Sequence, residues 1–261
     1  MPFKQAELVR FYEFESLRDL EITQAVFTRL GGVSPAPWDE LNLGGTVGDN
    51  PENVSENRSR VFRAVGREVE SLYDVWQVHS ADVVKADAPR PLHTAHHLAD
   101  AIITDFSEVT LLMRFADCVP VFLYDPMKHA IGLVHAGWQG TVKQVVAQAV
   151  KAMQAEFGTS PQDLLAAIGP SIGPDHYQVG PDVIGQVRDS FGAEASSLLT
   201  SYNSGVHLNL WEANRMILEH SGVRQIEVAE ICTACHCEDW FSHRGEQGKT
   251  GRFGALIALQ D

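Results

Sequence analysis

The chain has 261 residues, with 20 Lys and Arg against 34 Asp and Glu, and therefore a formal net charge of −14. Its 44% of hydrophobic residues and its four cysteines exclude wholesale disorder and a disulfide scaffold, and its acidity excludes a general nucleic-acid binder, which needs a basic face. No apolar run reaches the roughly 18 residues that a membrane helix needs, and residues 1–17 lack the apolar centre of a signal peptide. We expect a cytoplasmic protein without a membrane or nucleic-acid partner, either a monomer or a homodimer.

Hydrophobic periodicity predicts helices and strands in irregular alternation. The predicted helices cover residues 54–72, 141–157 with Gly158 as its stop, 182–191, and 209–220 with Asn209 as its N-cap. The predicted strands cover residues 75–84, 101–104, 110–114, 119–125, 130–135, 165–168, 227–232 and 254–259. Because the strands cluster with helices inserted irregularly, we expect the α+β class and not a doubly wound sheet. No boundary divides the chain, so residues 1–261 are expected to form one domain.

A predicted hairpin places a thiol beside an imidazole. If the hairpin is centred between Pro126 and Met127, Cys118 lies directly opposite His135, with their Cβ atoms about 5 Å apart. A loop of three residues would shift the register by one and separate the pair. At that distance the two residues either share a metal or act as nucleophile and base. A buried cysteine beside a hydrogen-bonded histidine is the plain structural alternative.

The sequence around this pair favours a functional site. Residues 136–140, Ala-Gly-Trp-Gln-Gly, form a turn from strand to helix whose N–H groups can receive an anion. Asp117 adjoins Cys118 at the start of the opposite strand. His79, in the strand-like run 76–80, is a candidate third metal ligand if the sheet order brings it close.

Spaced motifs along almost the whole chain carry a family resemblance. They lie at residues 28–34, 41–43, 47–49, 57–58, 77–79, 99–101, 116–120, 134–138, 168–170 and 242–244. With these motifs the chain resembles the YfiH-like, laccase-domain family, whose members have been labelled polyphenol oxidase, purine nucleoside phosphorylase and peptidoglycan editing factor. The order and number of the motifs make chance agreement improbable.

The resemblance implies a mixed α/β/β/α sandwich of two sheets with outer helices. It also implies a zinc ion held by His79, Cys118 and His135, and three protein ligands leave a tetrahedral zinc one open position, as in catalytic sites. Members of the family act on purine nucleosides, by phosphorolysis of adenosine, inosine and methylthioadenosine and by deamination of adenosine. The resemblance therefore implies a purine nucleoside and phosphate as substrates.

The resemblance and the local chemistry together suggest roles for individual residues. The hypothesis is that Cys118 and His135 act at the metal and that Asp117 assists proton transfer. Substrate contacts would come from four further side chains, Arg29, Asn42, Gln77 and Arg244. Each of the four also has a structural interpretation, as a loop brace, a turn residue, a strand residue or a solvated side chain.

Two other functions use the same atoms. Cys118 as nucleophile with His135 as base would suit an amide hydrolase in peptidoglycan precursor editing, and the implied fold resembles that of certain toxin deamidases. A copper-dependent polyphenol oxidase is less favoured, although two histidines and a cysteine are also a blue-copper ligand set. A trinuclear copper cluster draws on paired His-x-His motifs, and none of the 11 histidines forms one.

A second group of cysteines, within residues 232–237, begins with the Cys-x-x-Cys spacing of a zinc knuckle. No second Cys-x-x-Cys pair completes four ligands, so we do not expect a zinc ribbon. Cys235, His236 and Cys237 could instead form a redox-sensitive cluster.

Overall fold

Apolar strands build two sheets of six strands each, and the sheets stack face to face. The computed structural model describes residues 2–91, 94–202 and 205–260. The strands are β1 Phe3–Ala6, β2 Val9–Tyr12, β3 Ile22–Phe27, β4 Leu72–Tyr73, β5 Val83–Lys85, β6 Ala101–Thr104, β7 Thr110–Phe115, β8 Val119–Asp125, β9 Ala130–Ala136, β10 Leu165–Ile168, β11 Leu199–Tyr202, β12 Gly205–Leu208, β13 Gln225–Val228 and β14 Phe253–Leu259. The helices are α1 Pro51–Ala64, α2 Trp138–Val142, α3 Val145–Phe157, α4 Pro181–Phe191, α5 Ala195–Leu198 and α6 Leu210–His220, and 3₁₀ turns lie at Val69–Ser71, Pro161–Asp163 and Gly192–Glu194.

The inner faces of the two sheets enclose an apolar core. The first sheet has the strand order β1-β2-β3-β14-β7-β4, the second has β13-β10-β8-β9-β6-β5, and β11 pairs with β12 as a separate hairpin. Phe122 of β8 and Leu133 of β9 pack in one cluster with Met113 of β7 and Ile257 of β14. The β8–β9 hairpin therefore lies in the centre of the second sheet and packs on the first sheet. A site at the end of this hairpin is supported by a rigid element.

Helices cover the outer face of each sheet. On the first sheet, Phe62 of α1 joins Leu112 of β7 and Leu256 of β14 in one apolar cluster. On the second sheet, Met153 of α3 and Ile217 of α6 join residues of β8, β9 and β10. Burial on both faces explains why β8, β9 and β14 consist of buried residues along their whole length. The predicted α/β/β/α sandwich is confirmed.

Sequence signals at two helix ends are also confirmed. Asn209 caps α6, because its Oδ1 accepts a hydrogen bond from the Glu212 N–H at 3.0 Å. Gly158 ends α3 with a φ of 69°, a left-handed conformation that glycine adopts freely. Across the described parts of the chain, no helix has both the length and the apolar character that crossing a membrane requires.

Two predicted helices are longer than the observed ones. The helix predicted over 54–72 is α1, which ends at Ala64 before the left-handed Gly66, and the chain then makes a 3₁₀ turn and the short strand β4. The helix predicted over 141–157 is divided into α2 and α3 by Gln144, whose φ of 64° is left-handed. Such a break leaves the hydrophobic spacing of each half intact, so periodicity does not detect it.

Six predicted strands match observed strands to within one residue, four in the second sheet, β6, β8, β9 and β10, and two in the first sheet, β7 and β14. Three predicted strands, 101–104, 119–125 and 165–168, have the observed bounds. The strand predicted over 75–84 is wrong, because only Val83–Lys85 pairs with a neighbour as a strand. The strand predicted over 227–232 ends instead at Val228. Half of the first sheet, β1, β2 and β3, was not predicted.

The hairpin of β8 and β9 has a different register from the predicted one. Pro120, not Cys118, is the Cα partner of His135, because the loop between the paired residues Asp125 and Ala130 is longer than assumed. The register differs by two residues, and side chains alternate with a period of two, so both residues keep the same face. Cys118 and His135 are therefore diagonal neighbours and not a directly opposed pair.

Candidate metal centre

Three side chains with metal-binding atoms converge at the end of the β8–β9 hairpin. Cys118 immediately precedes β8, His135 lies near the end of β9, and His79 comes from the loop before β5. Their ligand atoms all lie within 4.8 Å of one another, with 3.9 Å between Cys118 Sγ and His79 Nε2. His135 is buried and the other two are partly exposed, so this group, the first cluster, is open to solvent on one side.

The donor set and the spacing of the first cluster fit a zinc ion. Zinc binds thiolate sulfur at about 2.3 Å and imidazole nitrogen at about 2.0 Å with tetrahedral angles, which puts a sulfur and a nitrogen ligand about 3.5 Å apart. The separation of 3.9 Å between Cys118 Sγ and His79 Nε2 lies close to that value. One cysteine and two histidines leave one position open, as in catalytic rather than structural zinc sites.

Asp100 organises two of the three ligands. This carboxylate is fully buried, and its Oδ1 lies 2.8 Å from His135 Nδ1, which leaves His135 Nε2 free for a metal. Its Oδ2 accepts hydrogen bonds from the N–H groups of Val78 at 3.1 Å and Ser80 at 2.6 Å, on either side of His79. One carboxylate therefore fixes the ring of one ligand and the loop of another.

The loop that carries His79 is held by side chains instead of a strand ladder. His79 has a left-handed φ of 57°, and Lys143 Nζ donates to its carbonyl oxygen at 2.8 Å. The side-chain amide of Gln77 donates to the carbonyl oxygen of Arg114 at 2.8 Å and accepts from the Arg114 N–H at 3.0 Å. Both ends of the Gln77 amide are used in this way, so the geometry favours a positioning role for Gln77 over the predicted substrate contact.

Gly137 leaves the space that the first cluster needs. A Cβ at this position would lie 2.8 Å from Cys118 Sγ and 3.1 Å from His79 Cδ2. Gly137 is the N-cap of α2 and has an extended backbone, with φ −72° and ψ 174°. The requirement for glycine here is therefore close approach and not an unusual backbone conformation.

Burial and charge act in opposite directions on the first cluster. Burial raises the pKa of the Cys118 thiol, but the charge and hydrogen bonds of His135 and His79 outweigh it and lower the pKa to about 6. Burial likewise lowers the pKa of His135, but the Cys118 thiolate and the Asp100 carboxylate raise it to about 9. At neutral pH the metal-free pair is therefore a thiolate beside an imidazolium.

Asp117 lies next to Cys118, but both oxygens of its carboxylate already accept hydrogen bonds. Its Oδ1 accepts hydrogen bonds from Thr233 Oγ1 and Ser242 Oγ at 2.7 Å each, and its Oδ2 accepts one from the Arg244 N–H at 2.6 Å. The carboxylate thus ties two distant segments to the start of β8. This geometry favours a positioning role for Asp117 over the predicted proton transfer.

The two arginines predicted to contact the substrate, Arg29 and Arg244, differ in the exposure of their side chains. Arg29 is buried, donates to the carbonyl oxygen of Asp39 at 2.7 Å and pairs with Glu246 at 3.0 Å. These contacts favour the structural interpretation of Arg29, in which it stabilises its own loop. Arg244 is exposed, and one of its nitrogens donates to the carbonyl oxygen of Gln178 at 3.0 Å. Of the two, only Arg244 presents part of its guanidinium to solvent, where an anion could reach it.

Arg252 brings positive charge near the first cluster, although its Gly-rich, charged segment predicts only a solvated loop. Burial lowers the pKa of its guanidinium, while the charges of Cys118 and Asp117 raise it, so the three groups lie within electrostatic range. Asn42 fixes the backbone here, because its Oδ1 accepts from the Arg252 N–H at 2.9 Å and its Nδ2 donates to Asp49 at 2.8 Å. Asn42 is fully buried, so the geometry favours a positioning role for it over the predicted substrate contact.

Comparison with known proteins agrees with the resemblance seen in the motifs. Residues 23–260 match the family model described as multi-copper polyphenol oxidoreductase laccase. The chain is 37% identical over 250 residues to the purine nucleoside phosphorylase YlmD of Bacillus subtilis, covering 92% of this chain and 90% of the relative. It is 34% identical over 235 residues to the purine nucleoside phosphorylase YfiH of Escherichia coli, covering 89% and 91%.

A solved structure has the same fold. The crystal structure of YlmD from Geobacillus stearothermophilus superposes with a TM-score of 0.92 at 33% sequence identity, covering 100% of this chain and 99% of the other. The likeness spans both sheets and the outer helices, and so confirms the mixed two-sheet architecture.

Proposed function

This chain belongs to the multi-copper polyphenol oxidoreductase laccase family, and from that premise we propose that it is a zinc-dependent purine nucleoside phosphorylase. The observation that carries the proposal is the convergence of His79, Cys118 and His135 near the charge of Arg252. The names of the relatives from Bacillus subtilis and Escherichia coli support the reaction class. The proposed substrates are adenosine, inosine and methylthioadenosine, each with phosphate.

The donor set favours zinc over multinuclear copper. Within the described ranges, two groups of three or more metal-binding side chains converge, the first cluster and a group formed by His176, Cys232 and Cys235. Neither group contains the several histidines that a trinuclear copper cluster draws on. A single zinc ion at the first cluster matches the available ligands, with two neutral imidazoles and one thiolate leaving a net charge of about +1.

Phosphorolysis replaces one bond at the ribose by another. A phosphate oxygen forms a bond to C1′, the bond from C1′ to the purine nitrogen breaks, and the purine leaves with a proton. When bound, zinc supplies positive charge and an open position for an anion. Asp100 keeps the His135 ring in place, and Arg252 adds the local charge that a phosphate needs in a protein of net charge −14.

Deamination of adenosine belongs to the same proposal. Water would replace phosphate as the nucleophile, form a bond to C6 of the purine and displace ammonia, with zinc supplying positive charge when bound. The two reactions differ in the nucleophile and in the substrate atom attacked, so assays with and without phosphate distinguish them.

One observation favours a second candidate, a cysteine–histidine amide hydrolase acting in peptidoglycan precursor editing. The lowered pKa of Cys118 and the raised pKa of His135 are the state of an activated cysteine nucleophile. Asp100 would then orient His135 as the third member of a triad. The candidates differ in what the thiolate contacts, which is a metal ion in the first and a carbonyl carbon in the second.

One experiment separates the two candidates. Adenosine and inosine are followed by chromatography with and without phosphate, using zinc-loaded wild-type protein and the Cys118→Ala variant. We expect phosphate-dependent release of the free base, and a loss of bound zinc together with about a 100-fold or larger loss of rate in the variant. Activity of metal-free wild type on an amide, absent in Cys118→Ser, would establish the hydrolase instead. Unchanged nucleosides under every condition would overturn the phosphorylase proposal.

A further inference from the structure

A second group of metal-binding side chains lies outside the first cluster. His176 Nδ1 is 3.8 Å from Cys232 Sγ and 3.5 Å from Cys235 Sγ. The three ligand atoms all lie within 4.8 Å of one another. In a tetrahedral zinc site each sulfur lies about 3.5 Å from the imidazole nitrogen. These three residues, the His176 cluster, therefore already have the spacing of a zinc site.

We propose that the His176 cluster is a second zinc site of this chain, independent of the proposed phosphorylase activity. Cys232 and Cys235 have the Cys-x-x-Cys spacing that structural zinc sites use to bring two thiolates to one metal. His176 supplies the third ligand from a different loop. Two thiolates balance the charge of the dication, so this site, unlike the first cluster, carries no net charge.

The buried cysteine of the His176 cluster is held in place before any metal binds. Cys232 Sγ accepts a hydrogen bond from the Gly173 N–H at 3.1 Å, and the Cys232 backbone forms a parallel bridge with Ser171. A Cβ at position 173 would lie 3.0 Å from Cys232 Cβ, so the glycine permits this close approach. An amide that donates to a ligand sulfur stabilises its charged form and fixes its direction.

The other two ligands give the metal access from solvent. Cys235 and His176 are exposed, whereas Cys232 is buried. All four cysteines of the chain are free thiols, so both sulfurs are available to a cation. A metal entering from solvent would therefore meet two exposed ligands first and one fixed sulfur behind them.

The His176 cluster is connected to the first cluster through hydrogen bonds. Thr233, next to one cysteine of the His176 cluster, donates to Asp117, which adjoins Cys118. Arg244 donates to the carbonyl oxygen of His176 at 3.3 Å and, through its N–H, to Asp117. A metal at the His176 cluster would therefore fasten the loop of His176 to the segment of Thr233, one of the two segments that position Asp117.

The test is the zinc content of chains with and without each cluster. Full-length protein purified under reductant is loaded with zinc, freed of excess by gel filtration and analysed by mass spectrometry. We expect two zinc ions per wild-type chain, one in Cys118→Ala, one in Cys235→Ser and none in the double variant. Cys237→Ser is the matched control and should keep both ions, because its thiol contacts the carbonyl oxygens of Thr233 and Ala234 and lies outside the cluster.

Cobalt(II) gives a second readout that does not depend on activity. In Cys118→Ala the metal would have two thiolate ligands, so its sulfur-to-cobalt charge-transfer band should be about twice as intense as that of Cys235→Ser. His176→Gln changes an exposed side chain and tests the same site without touching the buried sulfur. A single zinc per wild-type chain that is lost in Cys118→Ala, or a second zinc that persists in both Cys235→Ser and His176→Gln, overturns the proposal. A Cys232–Cys235 disulfide in the reductant-purified wild type does so as well.

Discussion

The two clusters contain the same residue types and differ in what surrounds them. At the first cluster a fully buried carboxylate, Asp100, fixes both the His135 ring and the loop of His79. At the His176 cluster the neighbouring carboxylate, Asp175, is exposed and lies 3.6 Å from the imidazole. The first cluster therefore has one side chain on a strand and a buried carboxylate that fixes two of its members, whereas all three members of the His176 cluster lie on loops. The first arrangement suits a metal that keeps an open position for a substrate.

The thiols of the two clusters also differ in charge. Two histidines lower the pKa of Cys118 against the effect of burial. Burial and the neighbouring Cys232 raise the pKa of Cys235 to about 11. The two histidines therefore favour ionisation of Cys118, whereas the neighbouring thiol of Cys232 disfavours ionisation of Cys235.

The largest expected contrast is in the reactivity of these two thiols in metal-free protein. Only the thiolate reacts with iodoacetamide, and pKa values of about 6 for Cys118 and about 11 for Cys235 give thiolate fractions that differ about 10⁴-fold at pH 7. Labelling of Cys118 should rise through pH 6 and level off, whereas labelling of Cys235 should still rise above pH 9. Timed labelling with peptide mass spectrometry measures both. Faster labelling of Cys235 at pH 7 would show that exposure, and not ionisation, controls the two thiols.

Replacing the buried carboxylate should weaken the first cluster alone. Asp100→Asn is expected to lower zinc affinity about 10- to 100-fold, because an amide lacks the charge that holds the His135 ring and the two loop N–H groups. Competition with a chromophoric chelator, in a Cys235→Ser background, measures this affinity. The matched variant Asp175→Asn, measured at the His176 cluster, should change affinity less than about threefold, since an exposed pair contributes little. Equal losses in both variants would remove the distinction between the clusters.

A smaller effect should follow from filling the space beside the first cluster. Gly137→Ala places a Cβ 2.8 Å from Cys118 Sγ, and overpacking of this kind costs about 1–3 kcal/mol, so zinc affinity should fall about tenfold. Gly180→Ala is the control, because Gly180 caps α4 with the same extended backbone and nothing lies within 4 Å of an added Cβ. Its zinc affinity should match wild type. Wild-type affinity in Gly137→Ala would mean that the cluster relaxes around the added atom.

The sequence predicted the centre of the molecule better than its edges. The strands β8 and β9 are long apolar runs on either side of Pro126, so their pairing could be predicted. Their register could not, because Pro126 is compatible with loops of different length, and the loop length alone sets which residue faces His135. Among the strands of four residues, β6 and β10 are mostly apolar and were predicted, whereas β1 contains Lys4 and Gln5 and has no apolar run to mark it.

The site was predicted where neighbours in sequence or a family motif carried it. Cys118 and His135 lie on one hairpin, and the motif containing His79 supplied the third ligand. Asp100 and His176 were missed as partners, although Asp100 lies in the motif at 99–101, because each acts on residues 20 or more positions away in the sequence. The same reason explains why two of the three members of the His176 cluster, Cys232 and Cys235, resembled an incomplete zinc ribbon.

The position of β14 has a consequence for the order in which the protein forms during synthesis. Although β14 is the last strand in the chain, it lies in the middle of the first sheet, between β3 and β7. Until residues 253–259 have left the ribosome, both neighbours keep an open hydrogen-bonding edge. Arg252, whose charge lies within electrostatic range of Cys118, directly precedes β14. The first sheet is therefore complete only after β14 has paired with both β3 and β7, and that pairing also holds the backbone next to Arg252.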